Sequence, residues 1–144
     1  MRRRERTRIL VKGDPALARR IAADIEASAR IDIVEEPREE LVMVKVRESA
    51  RRSLFYLGEA LMTTCRVSVE GAPGKGMVLG SDREAAYALA AIDAAYAAPA
   101  GRFNTAAWDE LLAEEACRIE AAAALERKAV AATKVDFSTM EDEL

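Results

Sequence analysis

A chain of 144 residues, 51% hydrophobic and 33% charged, with a formal net charge of −3, has the balance of one globular domain able to bury its own core. It contains no histidine, which excludes histidine triads, histidine general bases and histidine metal ligands. Its two cysteines are too few for an iron–sulfur cluster, a structural zinc site or a secreted disulfide scaffold.

No stretch approaches the run of about 20 apolar residues that a membrane helix needs, so no membrane partner is expected, and a nucleic-acid partner is not expected either. The basic start leads only into Ile9-Leu10-Val11, too short for a signal peptide, and a cytoplasmic chain is expected. Arg2, Arg3, Arg4, Arg6 and Arg8 crowd that start. They predict a flexible basic arm over residues 1–9, frayed and solvated, with nucleic-acid or phosphate binding as the functional alternative. The folded domain is expected over residues 10–132.

Asp14-Pro15 is a helix start, an N-cap acceptor followed by proline at the first helical position. Leu17, Ile21 and Ile25 then form a stripe on a helix running to about Arg30. Ile31–Val34 predicts a short strand stopped by Pro37, with Glu35-Glu36 and Glu39-Glu40 in a solvated connection. Leu41–Arg47 predicts a second strand, apolar on both faces at its start and therefore covered on both sides. Leu54–Leu57 is extended and apolar, and Gly58-Glu59 marks a bulge or tight turn. Glu59, charged inside an apolar stretch, is expected to be paired or functional, with a structural partner the favoured reading. From Leu61 to Glu70 the chain alternates with period two.

Gly71-Ala72-Pro73-Gly74-Lys75-Gly76 reads as the turn of a hairpin whose return strand is Met77–Leu79. It is no phosphate loop. Val69 stands where the first glycine would be needed, Gly76 where the hydroxyl would be, and a strand follows instead of a helix. Ser81-Asp82-Arg83-Glu84 fits a capping box led by Ser81. The helix it opens carries Ala85, Leu89, Ile92 and Tyr96 on one stripe and stops before Pro99. A third helix starts near Asn104, with Trp108, Leu112, Ile119, Ala123 and Val130 on its inner face. Cys65 and Cys117 fall on or beside apolar faces, which predicts buried, inert thiols. The fold class expected is α+β: a single domain with a mostly antiparallel sheet and central hairpin, packed against about three helices. After Thr133 comes a C-terminal tail, residues 133–144, able to fold back on its own domain or to pack on a neighbour.

Three stretches carry a resemblance. Phe55-Tyr56-Leu57-Gly58-Glu59-Ala60-Leu61-Met62-Thr63 is the first. The second runs from Gly76-Met77-Val78-Leu79-Gly80 through Asp82 to Ala91-Ile92-Asp93-Ala94. The third is Val135-Asp136-Phe137-Ser138-Thr139-Met140. Together, in this order, they resemble the PhnG family, the G subunit of the phosphonate carbon–phosphorus lyase system. The residues this resemblance marks as family motif or interface are Gly58, Glu59, Gly76, Leu79, Gly80, Asp82, Ile92, Asp93, Val135, Asp136, Phe137, Thr139 and Met140.

The resemblance implies organic phosphonate catabolism and a core complex with H, I and J subunits, chiefly the I subunit. It implies that ATP and an alkylphosphonate are substrates of the complex, adenine being displaced to give a ribose 1-alkylphosphonate 5-triphosphate. The radical, cluster-bearing step falls to the J subunit. The chain is then an accessory or scaffold subunit of a transferase system, with no catalytic residue, metal or cofactor of its own, and its tail is expected on a partner. Lys75 and Arg83 are the candidates for any phosphate contact. The alternatives are a free-standing small-molecule or nucleotide-binding domain and a homo-oligomeric interaction module.

Overall fold

The computed structural model describes residues 1–135. In chain order these form α1 (Arg3–Lys12), α2 (Pro15–Ser28), β1 (Ile31–Arg47), β2 (Leu54–Val69), β3 (Ala72–Leu79), α3 (Arg83–Ala97) and α4 (Thr105–Ala132). The strands make one antiparallel sheet in the order β1-β2-β3. The α+β class, the antiparallel sheet and the starts at Asp14 and Asn104 are as the sequence indicates; the side chains of both residues accept a hydrogen bond from the first turn they cap.

Residues 1–9 are not a loose arm. Arginines three apart share one face of a helix, and α1 uses that face to reach α3: Arg3 Nη2 lies 2.6 Å and Arg6 Nη2 3.2 Å from the Asp93 carboxylate. The Arg6 guanidinium also stacks 3.9 Å from the Tyr96 ring centre. With Ile9 and Leu10 buried behind it, a stretch that composition marks as solvated is pinned.

The strands are longer than their apolar runs suggest. Pro37 does not end β1, because β1 is an edge strand and an edge tolerates a missing N–H. Two register shifts, at Ile33/Glu35 and Glu35/Arg38, absorb it. The four glutamates around it are therefore strand residues, not a loop: Glu40 accepts from Arg38 Nε at 2.6 Å and from Thr64 Oγ1 at 3.1 Å. In β2 the expected bulge is real. The pairing steps from Val44↔Gly58 to Lys45↔Tyr56, leaving Leu57 over. The second hairpin turns on two residues only, Glu70 and Gly71, with φ of 50° and 83° as a type I′ turn requires. Gly74-Lys75-Gly76 thus lies inside β3 and is not the turn.

That placement explains the glycines. The inward face of β3 is Ala72, Gly74, Gly76 and Val78, all buried, and α3 lays the row Ala86, Ala90, Ala94 across it. A Cβ on Gly76 would overlap the Ala86 carbonyl oxygen, and one on Gly74 would sit 2.7 Å from the Ala94 Cβ. The alanines are the inner surface of the helix and contribute directly to the core with Ile92, Cys65, Val67 and Val69. The α3 cap also shifts by one residue from the expected box. Asp82 accepts from Ala85 N at 2.9 Å, while the Ser81 hydroxyl donates to Glu39.

Helix α4 is core for only half its length. Trp108 and Leu112 are buried and Ile119 is partly covered, but Leu125 and Val130 stand in solvent, so the predicted inner face does not continue. Cys117 is exposed as well, contrary to expectation, and only Cys65 is buried. Near the start of α4, Asp109 accepts from the Tyr96 hydroxyl at 2.8 Å. Burial pushes the Tyr96 phenol above its ordinary range, and the Asp109 hydrogen bond adds to this. Burial opposes ionisation of Asp109, but the bonds from Tyr96 and the Met1 ammonium outweigh it and hold the carboxyl below its ordinary value.

Gly76→Ala is expected to lower stability by about 2 kcal/mol or more, because backbone must move. Gly58→Ala, with nothing within 4 Å of the added carbon, should stay within about 0.5 kcal/mol in the same urea titration. A carboxyl with a depressed folded pKa contributes stability above its unfolded value and loses it as pH falls through the folded one. Asp109→Asn should therefore flatten the decline of Tm below about pH 4.

Candidate functional site

Two structural centres hold the motif residues Gly80, Asp82 and Asp93, and a third region stands apart from both. The first centre is Asp93. One carboxylate takes three donors: Arg3, Arg6 and the Lys75 backbone N–H at 3.1 Å. It ties α1, β3 and α3 at one point, with the Asp93 side chain only 14% exposed. The second is Thr63, fully buried in β2. Its hydroxyl donates to the Gly80 carbonyl at 2.6 Å and accepts from Asp82 N at 3.1 Å, so the chain leaving β3 is anchored where α3 begins. Gly76, Gly80, Asp82 and Asp93 serve these two joints or the β3–α3 contact, and Ile92 is buried in the core.

The third region is an arm. β3 ends at Leu79, opposite Met62. Beyond that point only β1 and β2 continue, Leu41↔Leu61 to Arg47↔Leu54. Glu48 closes the end, its carboxylate accepting from Ala50 N and Arg51 N at 2.8 and 2.6 Å. Those backbone bonds hold its pKa below the usual carboxylate range. No described helix covers either face of the arm. Leu41 is 66% exposed, Met43 55%, Tyr56 58% and Leu57 66%. Alternation puts Leu41, Met43 and Leu61 on one face, and Val42, Val44, Val46 and Phe55 on the other.

The strand expected to be covered on both sides is thus bare on both. Gly58 sits in the arm at the bulge. Glu59 is exposed opposite Met43 and, among the described residues, has no ion pair or hydrogen bond, so the structural partner expected for it is not there. Leu79, 73% exposed, lies at the base of the arm.

The two candidate phosphate contacts are not brought together. Arg83 lies at the start of α3, where its Nε and Nη2 donate to the Pro37 carbonyl at 2.9 and 2.6 Å, so it locks the β1 bulge to the helix. Lys75 is exposed in the middle of β3, on the face away from α3. Val135 is exposed, and Asp136, Phe137, Thr139 and Met140 lie outside the described residues.

For chemistry the arrangement offers little. Among the described residues no three Cys, Asp or Glu side chains are grouped to hold a metal ion. Burial, with Glu36 and Glu35 nearby, pushes the Cys65 thiol up, away from the reactive thiolate. No described helix is long and apolar enough to cross a membrane.

Sequence reasoning missed two groups. Arg6 was hidden because its partner lies 87 residues away. Glu115 was hidden in an apolar stripe; it is buried on α4, accepts from Asp14 N at 2.9 Å and Arg118 Nη1 at 3.0 Å, and fastens the α1–α2 corner. The signal for the arm was present: apolar residues on both faces of two neighbouring strands.

Replacing Asp93 with alanine leaves the buried Arg6 guanidinium without its carboxylate, which is expected to cost about 3 kcal/mol in chemical unfolding. Arg3→Ala, removing a partner that is 67% exposed, should cost no more than about 1 kcal/mol.

A family model described as phosphonate metabolism protein PhnG matches residues 1–141. The chain is also 32% identical over 117 residues to the alpha-D-ribose 1-methylphosphonate 5-triphosphate synthase subunit PhnG of Rhizobium meliloti (strain 1021), covering 81% of this chain and 73% of that protein. With the family's model spanning both structural joints and the arm, this chain belongs to the PhnG family of phosphonate metabolism proteins.

Proposed function

We propose that the chain works as an accessory subunit of an alpha-D-ribose 1-methylphosphonate 5-triphosphate synthase, supplying surface to companion subunits that carry the reactive groups. The observation that carries this is the β1–β2 arm. A two-stranded ribbon is marginal in water by itself, and apolar side chains bare on both faces are the mark of a surface meant to be covered. The relative's name, a synthase subunit, supports the same reading. The second half of α4, with Leu125 and Val130 exposed, offers a further contact of the same kind.

The companions are the H, I and J subunits of the carbon–phosphorus lyase system, chiefly the I subunit. The assembled reaction is displacement of adenine from ATP by an alkylphosphonate. The C-terminal tail from residue 133 joins the arm as a contact. The alanine-rich α3 does not, since its alanines are spent inside the domain.

Co-expression with the three companions and affinity purification tests the proposal. The native chain should co-purify. A Met43→Lys, Leu57→Lys variant should be lost from the complex while its own unfolding midpoint stays within about 0.5 kcal/mol of native, because both side chains are exposed. A variant that still co-purifies in full would remove the arm from the interface. Turnover of ATP with methylphosphonate by the chain alone would end the accessory reading.

A further inference from the structure

A cleft of about 550 Å³ opens between the N-terminal half of α1, the outer side of β3 and the C-terminal end of α3. Four cationic side chains line it, Arg3, Arg6, Arg66 and Lys75, against the single carboxylate of Asp93. That carboxylate is already bonded by Arg3, Arg6 and the Lys75 N–H, so its charge is engaged from within. Three carboxylates beside the lining are committed as well: Asp109 takes the Tyr96 hydroxyl at 2.8 Å and the Met1 ammonium at 3.0 Å. Glu35 takes one nitrogen of Arg66 at 3.2 Å, and Glu40 is held by Arg38 and Thr64 while feeling the Lys75 charge. The Lys75 ammonium has no ion pair among the described residues, and Arg66 and Arg3 stand 54% and 67% exposed with donors to spare.

Four cations around one engaged carboxylate repel one another unless an anion joins them. Guanidinium forks beside an ammonium match tetrahedral oxyanions, the arginines by paired donors and the lysine as a point charge. At about 550 Å³ the cleft is larger than one orthophosphate and has room for several phosphoryl groups. Arg6 is the fixed post of the site: its side chain is 7% exposed and is braced by Asp93 and the Tyr96 ring.

We propose that this cleft binds a multiply charged phosphate ester or anhydride, with Arg66 and Lys75 as the mobile donors and Arg3 and Arg6 as the positioned ones. This is a ligand site on the chain itself and stands apart from the arm and from its role in assembly.

The test is calorimetric titration of the full chain with inorganic tripolyphosphate, at low and at physiological ionic strength. Saturable one-site binding is expected, weakening with salt and tighter than for orthophosphate. Arg66→Ala with Lys75→Ala should weaken it by about tenfold or more, and Lys75→Ala alone by a smaller factor in the same direction. Lys128→Ala, an exposed lysine far along α4, should leave it unchanged. Absence of saturable binding, equal affinity in native and Lys75→Ala chains, or equally tight binding of a glutamate-rich peptide would each overturn the proposal.

Discussion

Helix α3 lies against β3 at a distance set by side chains that are absent. Gly74 and Gly76 leave two gaps on the inner face of the strand, and the row Ala86, Ala90, Ala94 fills them, so helix backbone nearly meets strand backbone. This contact gathers dispersion from many small groups where other domains use a few large ones. It also fixes everything around it. Asp93, the residue next to Ala94 at the end of the row, is held where Arg6 can meet it, and Asp82 is held where Thr63 can receive its N–H. A helix set further from the sheet would break both joints.

Small-residue packing has a consequence for the rest of the molecule. The core gathers around one helix and the paired half of the sheet, with Ile21 and Ile25 of α2 and Leu112 of α4 closing it. Among the described residues nothing is left over to cover the far end of the first hairpin or the outer half of α4. A self-sufficient domain of this size would fold an apolar ribbon inward. Here the third strand stops at Leu79 and the ribbon runs on alone. The same economy leaves the outer face of β3 open beside α1, where cationic side chains gather. The bare apolar arm and the cationic cleft thus arise at opposite ends of one sheet.

Much of this was legible in the residues. Asp14-Pro15, Asn104, the alternation from Leu61 to Val69 and the bulge at Gly58 are local signals, and local hydrogen bonding or alternation produced the predicted feature in each case. The motif glycines and Asp93 were visible as a pattern, but their purpose was not. Gly74-Lys75-Gly76 looks like a turn because glycine clusters are commoner in turns. It is strand because Glu70-Gly71 already turns the chain and an alanine helix needs the space.

The sequence by itself determined the class of fold, the helix starts at Asp14 and Asn104, the family motifs and the want of histidine chemistry, since these depend on neighbours a few residues apart. Tertiary structure alone decided the rest. It turned a string of terminal arginines into a docked helix, because the carboxylate that neutralises Arg6 is 87 residues away. It let β1 pass through Pro37, because an edge strand does not need that N–H. It bared the arm, because whether an apolar strand is covered depends on where every other element has been spent.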